Sequence, residues 1–509
     1  MTDGATFAPS LPSGWTWAAV ENLASGEPNS ITDGPFGSHL KTSHYTARGP
    51  RVVRLQNVGD GEFIDAHAHI SEEHYERLSK HAVKAGDLVI AMLGEHLPRA
   101  CLVPATLGPA IVKADCAKFT PHPNGPNRRY LMYALNSPVI RDRIVVHGVG
   151  RPRLNLSDVR AIRLPLAPRP EQDRIVAEIE KHFTLLDAAV TALKRVQANL
   201  KRYRASLLKA AVEGRLVPTE AELAQREGRI YETGDEVLRR AGSEESKRPH
   251  RPPSWALPEG WAWATVAQVG QVQLGRQRSP QHHNGPNMRP YLRAANITWQ
   301  GFDLRDVMRM NFDSDDFARH RLLPGDLLLA EASGSSSEVG RPAVWSGEIA
   351  DCCCQNTLIR VRSRLPISQF LYWHFYCDAF SGRFGEASRG VGIHHLGSAG
   401  LSSWVVGIPP LAEQSRVVAE LERRVSFIDH LESAITMGIA RTDRLRQAML
   451  VDAFSGRLVP QDPRDEPASE LLARIGQERQ ATTAATSSPR QRASGQRKRT
   501  RSDRPLLQE

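Results

Sequence analysis

The sequence predicts an α+β fold, made of two repeated mixed α/β domains that are separated by two long, antiparallel coiled-coil helices. Three observations lead to this class: an internal duplication, a change of texture within each copy, and a seven-residue apolar repeat in the second part of each copy. A chain of 509 residues has room for about three or four ordinary domains. We call the globular part of each copy a head.

The duplication spans nearly the whole chain. The segment LPSGWTWAAVENL from Leu11 returns as LPEGWAWATVAQV from Leu257, and EQDRIVAEIE from Glu171 returns as EQSRVVAELE from Glu413. Aligned from the two glutamates, about 19 of 48 positions are identical as far as the closing GRLVP motifs. Insertions fall between the matched blocks, where loops are expected. The length is therefore explained by two copies of a unit of about 200 residues, related by a pseudo-twofold duplication.

Each head is rich in glycine, proline and short β-like runs, such as DLVIAM in the first copy and DLLLA in the second. One helical segment is predicted in each head, at residues 129–135 and 369–376. Short strands bounded by turn residues, together with a helix, predict a compact α+β domain.

The second part of each copy is polar and helical, and its apolar residues recur every seven positions, which is typical of a left-handed coiled coil. Val196 and Tyr203 take intervening positions in the first helix, and Gly438 and Thr442 interrupt the pattern in the second. A helix from a larger bundle is the alternative interpretation. Because the copies are related by a pseudo-twofold axis, we expect the two helices to run antiparallel and to hold the heads apart. The predicted helix–helix core is Ile179, Leu186, Leu193, Leu200, Leu207, Leu421, Ile428, Leu431, Ile435, Leu445 and Met449.

The predicted boundaries follow the repeat. They are a first head at 1–168, a first long helix at 169–218, a linker at 219–254, a second head at 255–410, a second long helix at 411–460 and a tail at 461–509. The linker is polar and of mixed charge, whereas the tail is basic and rich in Pro, Ala, Ser and Thr. This composition predicts that the tail is disordered.

Composition and charge indicate the kind of partner. The chain has 66 Lys and Arg against 56 Asp and Glu, a formal charge of +10, which favours a polyanionic partner such as nucleic acid. No stretch is apolar enough to span a membrane, and the N-terminal segment does not resemble a secretory signal. The six cysteines form no CxxC pair. We therefore expect a cytoplasmic protein with reduced thiols.

The sequence carries no recognisable catalytic motif. It contains no Gly-Lys dipeptide and hence no Walker A loop, no HExxH, no GxSxG, no glycine-rich dinucleotide loop and no Asp/Asn-Pro-Pro-aromatic stretch. His67 and His69 share one face of a predicted strand, but no cluster of acidic partners follows them. We therefore expect no catalytic residue, no metal and no cofactor in this chain.

Two heads, each followed by a long helix that opens with P-x-x-EQ-x-R-[IV]-V and closes near GRLVP, resemble the specificity subunits of type I restriction-modification systems. The resemblance covers residues 11 to 460 and includes DGPFGSHL from Asp33, the GDL turns at Gly86 and Gly325, and SGSSSEVGRPA from Ser333. It implies that each head is a target-recognition domain for one half of a bipartite, asymmetric site in double-stranded DNA. It also implies that two modification (adenine methyltransferase) subunits and restriction subunits are partners, and that S-adenosylmethionine, ATP and Mg belong to those partners.

Residue chemistry suggests which side chains contact DNA. Phosphate contacts need Lys and Arg, while base readout favours Arg for guanine and Asn or Gln for adenine. The candidates are Ser38, His39, Lys41, Arg54, Gln56, Asn57, Arg151 and Arg153 in the first head, and Arg276, Gln277, Arg278, Arg293, Asn296, Arg389 and His394 in the second. The repeated tryptophans Trp15, Trp17, Trp261 and Trp263 are expected to fold the start of each head rather than to stack on bases.

Two other functions remain open at this stage. A self-contained DNA methyltransferase or nuclease would need a further, unrepeated domain with its own motif. A non-catalytic coiled-coil scaffold would need no salt-sensitive DNA binding.

Overall fold

The computed structural model describes residues 10–148, 150–242, 254–335, 338–388 and 394–486, and the chain divides into two compact units. Unit 1 comprises the residues up to 191 and those from 438 onward, and unit 2 comprises residues 192–437. Each unit contains one head and part of both long helices. Within the described residues, no helix is long and apolar enough to cross a membrane.

Head 1 opens with the strand Thr16–Ala19, which pairs antiparallel with Arg163–Leu166. One antiparallel sheet has the strand order Ile31–Asp33, Cys116–Phe119, Leu88–Ala91, Arg99–Leu102. A second sheet has the order His69–Ile70, Tyr45–Val53, Ala110–Val112, Ala82–Val83, and its central pair is parallel. The α-helices of head 1 are Glu72–Arg77, Arg128–Asn136, Pro138–Arg141 and Leu156–Ala161.

Head 2 repeats this topology. Ala262–Thr265 pairs antiparallel with Val405–Ile408. One sheet has the order Gly270–Leu274, Leu358–Ser363, Leu327–Ala330, Pro342–Val344, and the other has the order Met308–Asn311, Met288–Leu292, Cys353–Cys354, again with a parallel pair. Short strands pair Ile297–Thr298 with Gly301–Phe302 and Ala332–Ser333 with His394–His395. The α-helices are Val266–Val269, Ser314–His320, Ser368–Phe380, Arg383–Ala387 and Ser398–Ser402.

The α+β class predicted from the sequence is thus confirmed, and the one helix predicted per head corresponds to Arg128–Asn136 and Ser368–Phe380. Leu88–Ala91 and Leu327–Ala330 are buried at every residue because they lie in the middle of their sheets. These strands come from the two GDL segments. The repeated sequence blocks therefore build the equivalent framework of the two heads.

The two long helices are Arg169–Val212 and Leu411–Phe454, each of 44 residues. Gly214 and Gly456 follow their ends with φ of +70° and +71°, a conformation that favours glycine. The next residues donate backbone hydrogen bonds of 2.8 Å, from Arg215 to Ala210 and from Arg457 to Asp452. This six-to-one bond closes a helix C-terminus and explains why glycine recurs in both GRLVP motifs.

The helices pair antiparallel within each unit. In unit 1, Arg446 of the second helix pairs with Asp187 of the first, and its guanidinium lies 4.8 Å from the centre of the Phe183 ring. In unit 2, Arg204 of the first helix pairs with Asp429 and, at 3.1 Å, with Glu432 of the second. These buried or half-buried arginines support the local register.

The helices pack through a different face from the predicted one. The difference lies at the positions between the residues that recur every seven places. Leu445 is 46% exposed, and Val196 and Tyr203 are also exposed. The packing uses positions i, i+4 and i+7 instead of i and i+3, so Arg204 and Val425 are buried. Of the other predicted core residues, Ile179, Leu207, Leu421, Ile428 and Ile435 are buried, and Leu186, Leu193, Leu200, Leu431 and Met449 are half-buried.

The predicted linker contains ordered structure. Thr219 and Thr233 cap the helices Glu220–Glu227 and Gly234–Arg240 by accepting hydrogen bonds from backbone N–H groups of the first turn. Val237 is buried in the core of head 2, and the N–H of Gly234 donates to the carbonyl of Gly260 (2.7 Å). The segment is therefore part of unit 2.

The prediction of a disordered tail is wrong for the first part of the tail. Residues Ala468–Thr486 form a helix in unit 1, because Ala468, Leu471 and Ile475 lie on one apolar face that is buried. The N–H of Ala468 donates to the carbonyl of Gly14 (2.8 Å), as Gly234 does to Gly260 in unit 2. We call Gly234–Arg240 and Ala468–Thr486 the docking helices. Each completes the head of its own unit.

Candidate nucleic-acid interface

The repeated tryptophan and glutamate of each copy meet in the structure. Nε1 of Trp15 donates to Oε2 of Glu171 (3.1 Å), and Nε1 of Trp261 donates to Oε1 of Glu413 (2.8 Å). Burial raises the pKa of both carboxyl groups, and the tryptophan hydrogen bonds oppose that effect. These bonds join the start of each head to the start of the following helix. Trp15 and Trp261 are buried, so neither presents a face to a base.

A first candidate loop leaves the framework at equivalent glycines. A side chain at Gly34 would clash with the backbone of Lys113, and one at Gly275 would clash with the backbone of Gln355. In head 1 the loop continues through short 3-10 turns that expose Ser38, His39 and Lys41. The carbonyl of His39 contacts Nε2 of His74 at 2.9 Å, which ties the loop to the helix Glu72–Arg77.

The same loop of head 2 exposes Gln277 and Arg278, whereas Arg276 is buried. Arg276 pairs with Asp316 at 2.5 Å and lies 5.0 Å from the centre of the Phe312 ring. Its guanidinium is thus bound inside the head. Arg276 is a framework residue, contrary to the prediction that it contacts DNA.

Asn57 and Asn296 are also framework residues. Both are almost fully buried. Nδ2 of Asn57 donates to the carbonyls of Ile64 and Ala66 at 2.8 Å, and its Oδ1 accepts from the N–H of Arg54. Asn296 makes the matching three bonds, to Asp303, Asp306 and Arg293. An amide whose donors and acceptor are all bonded inside the protein has no group left for a base edge.

The candidate arginines that flank these asparagines already form bonds within the protein. Nη2 of Arg54 donates to the carbonyl of His67 (3.0 Å), and Arg293 pairs with Asp306. Gln56 is exposed in the same turn. Of this group, Gln56 is the residue whose amide is best placed to reach a ligand.

A second candidate surface lies where the loop after the central strand meets residues 150–153 in head 1 and His394 in head 2. In head 1, Leu93 forms an isolated antiparallel β-bridge with Arg153, and the N–H of Gly94 donates to the carbonyl of Pro152 (3.1 Å). Arg151 and Arg153 are exposed here, and Arg153 approaches Asp115 at 4.0 Å.

Head 2 has the equivalent pairing of Ser333 with His394. Nδ1 of His394 lies 2.9 Å from Oγ of Ser388, and Arg389 is outside the described residues. In both heads the loop after the central strand is therefore a neighbour of the predicted turn. We did not predict its exposed residues, such as His96, from the sequence, although the repeated GDL segments that precede these loops could have indicated them.

The described residues contain no group of three or more His, Cys, Asp or Glu side chains that could hold a metal ion. Nδ1 of His69 contacts the carbonyl of Gly49 at 2.7 Å, and Nε2 of His67 lies 3.5 Å from Asp65. All six cysteines are buried, and burial raises the pKa of Cys101 and of Cys352 to about 12. Thiols with such a pKa stay protonated at neutral pH and are poor nucleophiles.

No protein-family model matches the chain. It is similar to the type I restriction enzyme EcoKI specificity subunit of Escherichia coli K12, with 21% identity over 93% of this chain and 97% of the relative. The StySPI specificity subunit of Salmonella potsdam is 22% identical over 92% and 96%. A chain from a solved structure of the type I R-M system has a TM-score of 0.62 at 20% identity and covers 89% of this chain and 100% of its own length. The similarity to these type I restriction enzyme specificity subunits extends over both heads and both long helices, and the solved structure shares the fold.

Proposed function

We propose that this chain is the DNA-specificity subunit of a type I restriction-modification enzyme and that each head reads one half of a bipartite, asymmetric DNA site. The observation that carries the proposal is the relation between the heads. They share a framework down to the tryptophan–glutamate hydrogen bonds, while the side chains exposed on equivalent loops differ. A common framework with unlike exposed residues suits two readers of unlike sequences.

The exposed chemistry supports readout by side chains. Head 1 presents a lysine, a histidine and a serine on its first loop, whereas head 2 presents Gln277 and Arg278. Glutamine pairs best with adenine and arginine with guanine, so the two loops favour different bases. Exposed Arg151 and Arg153 add charge for phosphate contacts in head 1.

The long helices support the binding of two copies of one partner. Leu185 of the first helix and Phe427 of the second occupy equivalent positions of the repeat, and both are 61% exposed. Tyr203 and Leu445 form a second equivalent pair, 47% and 46% exposed. Equivalent apolar side chains on both helices are what two identical modification subunits would require. Restriction subunits would join that complex.

The chemistry of the complex then belongs to its partners. Modification of adenine with S-adenosylmethionine and cleavage driven by ATP and Mg are assigned to the modification and restriction subunits. This chain supplies sequence recognition and assembly.

The decisive experiment expresses the chain with its candidate modification partner in a host that lacks adenine methylation and maps methylated adenines by single-molecule sequencing. We expect methylation at one interrupted motif with two unlike halves. Replacing residues 11–168 by the head of another specificity subunit should change one half of the motif and leave the other intact. Methylation without a motif, or a motif that survives the replacement of both heads, would refute the proposal.

A further inference from the structure

The C-terminal part of the first long helix carries an unusual charge. Residues 188–212 include six Lys and Arg side chains and not one carboxylate. The equivalent stretch of the second helix, residues 430–454, holds three arginines and three carboxylates. The two copies thus differ by six charges over the same 25 positions. A run of cations on one copy alone calls for an explanation that the duplication does not supply.

Four of these cations face solvent without an acidic partner. Lys194, Arg195, Lys201 and Arg202 are exposed, and none of them forms an ion pair with any described residue. They are spaced as two adjacent pairs seven residues apart, which places them on one side of the helix and about 10 Å apart along its axis. We call these four residues the basic stripe. The nearby carboxylates of Asp429 and Glu432 both pair with Arg204, and neither forms an ion pair with the basic stripe.

The asymmetry indicates what the basic stripe binds. In the repeat, its four positions correspond to Thr436, Met437, Asp443 and Arg444. Two identical protein subunits, one on each copy, would meet the same chemistry twice, and these positions do not offer it. A ligand that meets the molecule once, and that carries closely spaced negative charges, fits better. Duplex DNA carries one phosphate charge per about 1.7 Å of its axis.

We propose that the basic stripe binds the sugar-phosphate backbone of duplex DNA outside the bases that the heads read. This inference rests on the proposed function and adds to it a contact that carries no sequence information. Each cation that neutralises a phosphate releases a counterion, so the contact strengthens binding and makes it steeply dependent on salt. It would hold non-specific DNA while the heads search for a site.

The test compares three forms of the full chain in complex with its modification partner. The stripe variant carries Arg195→Gln and Arg202→Gln, because glutamine keeps helix propensity while removing charge. The control carries Lys181→Gln and Arg423→Gln, which remove the same net charge from exposed cations of the long helices that already pair with Glu178 at 3.0 Å and Glu420 at 2.9 Å. Circular dichroism checks that all three forms are folded.

Fluorescence anisotropy measures the affinity for a random-sequence 40-base-pair duplex and for a duplex with the methylated motif, between 50 and 200 mM salt. We expect the stripe variant to lower the slope of log K against log salt by about 2 on both duplexes and to leave the motif unchanged. The control should keep the wild-type slope. Adding Lys194→Gln and Lys201→Gln should bring the total decrease to about 3 to 4.

An unchanged slope in the stripe variant would overturn the inference, as would an equal decrease in the control, which would indicate a general effect of net charge. Weaker assembly with the modification subunit, together with an unchanged DNA slope, would assign the stripe to a protein partner instead. Failure of the proposed function has a different signature, because the wild-type complex would then show no preference for any motif.

Discussion

The two heads share a framework but stabilise their interiors differently. In head 2, the fully buried Asp378 accepts from Nε1 of Trp404 (2.8 Å), lies 3.2 Å from Nδ1 of the buried His374, and pairs with Arg383. Head 1 has Pro138 at the equivalent position, where it starts the helix Pro138–Arg141.

In head 1, the corresponding region is stabilised by Arg141 instead. Arg141 donates to the carbonyl of Pro98 (3.0 Å), at the end of the loop after the central strand, and pairs with Asp60 at 2.6 Å. The comparison teaches that backbone topology and the tryptophan–glutamate bond are common to both copies. The polar network around these equivalent positions is particular to each copy.

The largest effect is expected from Asp378→Ala, which leaves His374 and Arg383 without their buried carboxylate. Removing one member of a buried ionic network costs about 3–5 kcal/mol. Hydrogen exchange in urea should show unit 2 destabilised and unit 1 unaffected. Pro138→Ala is the matched variant in head 1, and it should cost less than about 1 kcal/mol. If both variants lost the same free energy of unfolding, the interiors of the two heads would not be stabilised differently.

A second large effect is expected at the docking helices. Leu471→Ala removes a buried side chain from unit 1 and should lower its stability by about 2–5 kcal/mol. Val237→Ala should destabilise unit 2 by a smaller amount, because fewer buried methyl groups are lost. Urea unfolding followed by hydrogen exchange would separate the units, with exposed Gln477→Ala as the control. If Leu471→Ala left head 1 unchanged, the docking helix would not be part of that head.

An effect of intermediate size is expected from Trp261→Phe, which removes a donor from the buried carboxylate of Glu413. An unsatisfied buried group costs about 1–3 kcal/mol. The lost bond stabilised the charged form, so the variant raises the folded-state pKa of Glu413 further. The loss of stability should therefore be full at neutral pH and shrink as the pH falls through that pKa.

Urea unfolding at two pH values measures this difference. Trp15→Phe should behave in the same way through Glu171 in unit 1, since the two bonds are equivalent. A loss that grew toward acidic pH in either variant would contradict the role of the hydrogen bond.

The smallest effect on stability is expected from Gln277→Ala, because the side chain is exposed. Its free energy of unfolding should change by no more than about 0.5 kcal/mol, while the half-site of head 2 should lose discrimination at one base worth about 1–3 kcal/mol. Asn296→Ala is the contrast: it should destabilise head 2 by about 1–3 kcal/mol and leave the motif as it is. Mapping the methylated adenines for both variants shows whether each side chain reads the DNA sequence or stabilises the fold.

Much of the fold could be predicted from the sequence because the duplication supplies its own alignment. The long helices, the position of one helix in each head and the equivalence of the GDL strands all follow from matched blocks. The docking helices were missed because composition was averaged over a polar linker and a basic tail. Their apolar residues, such as Val237 and Leu471, are too few to change that average.

The candidate interface was harder to predict because one residue type serves two purposes. Asn57 and Gln56 are neighbours with the same functional group, yet one closes a turn inside the head and the other faces solvent. Arg276 and Arg278 differ in the same way. Burial separates these roles, and the burial of Arg276 depends on contacts with residues such as Asp316 that are distant in sequence.

The docking helix of unit 1 has a consequence for the order in which the protein matures on the ribosome. Head 1 precedes head 2 in the chain, but the helix Ala468–Thr486 that completes it is translated after the whole of unit 2. Unit 2 has its docking helix ahead of its head and needs only residues up to 437. The first head to be synthesised is therefore the last to be finished, and a nascent chain that stops early yields one complete reader instead of two.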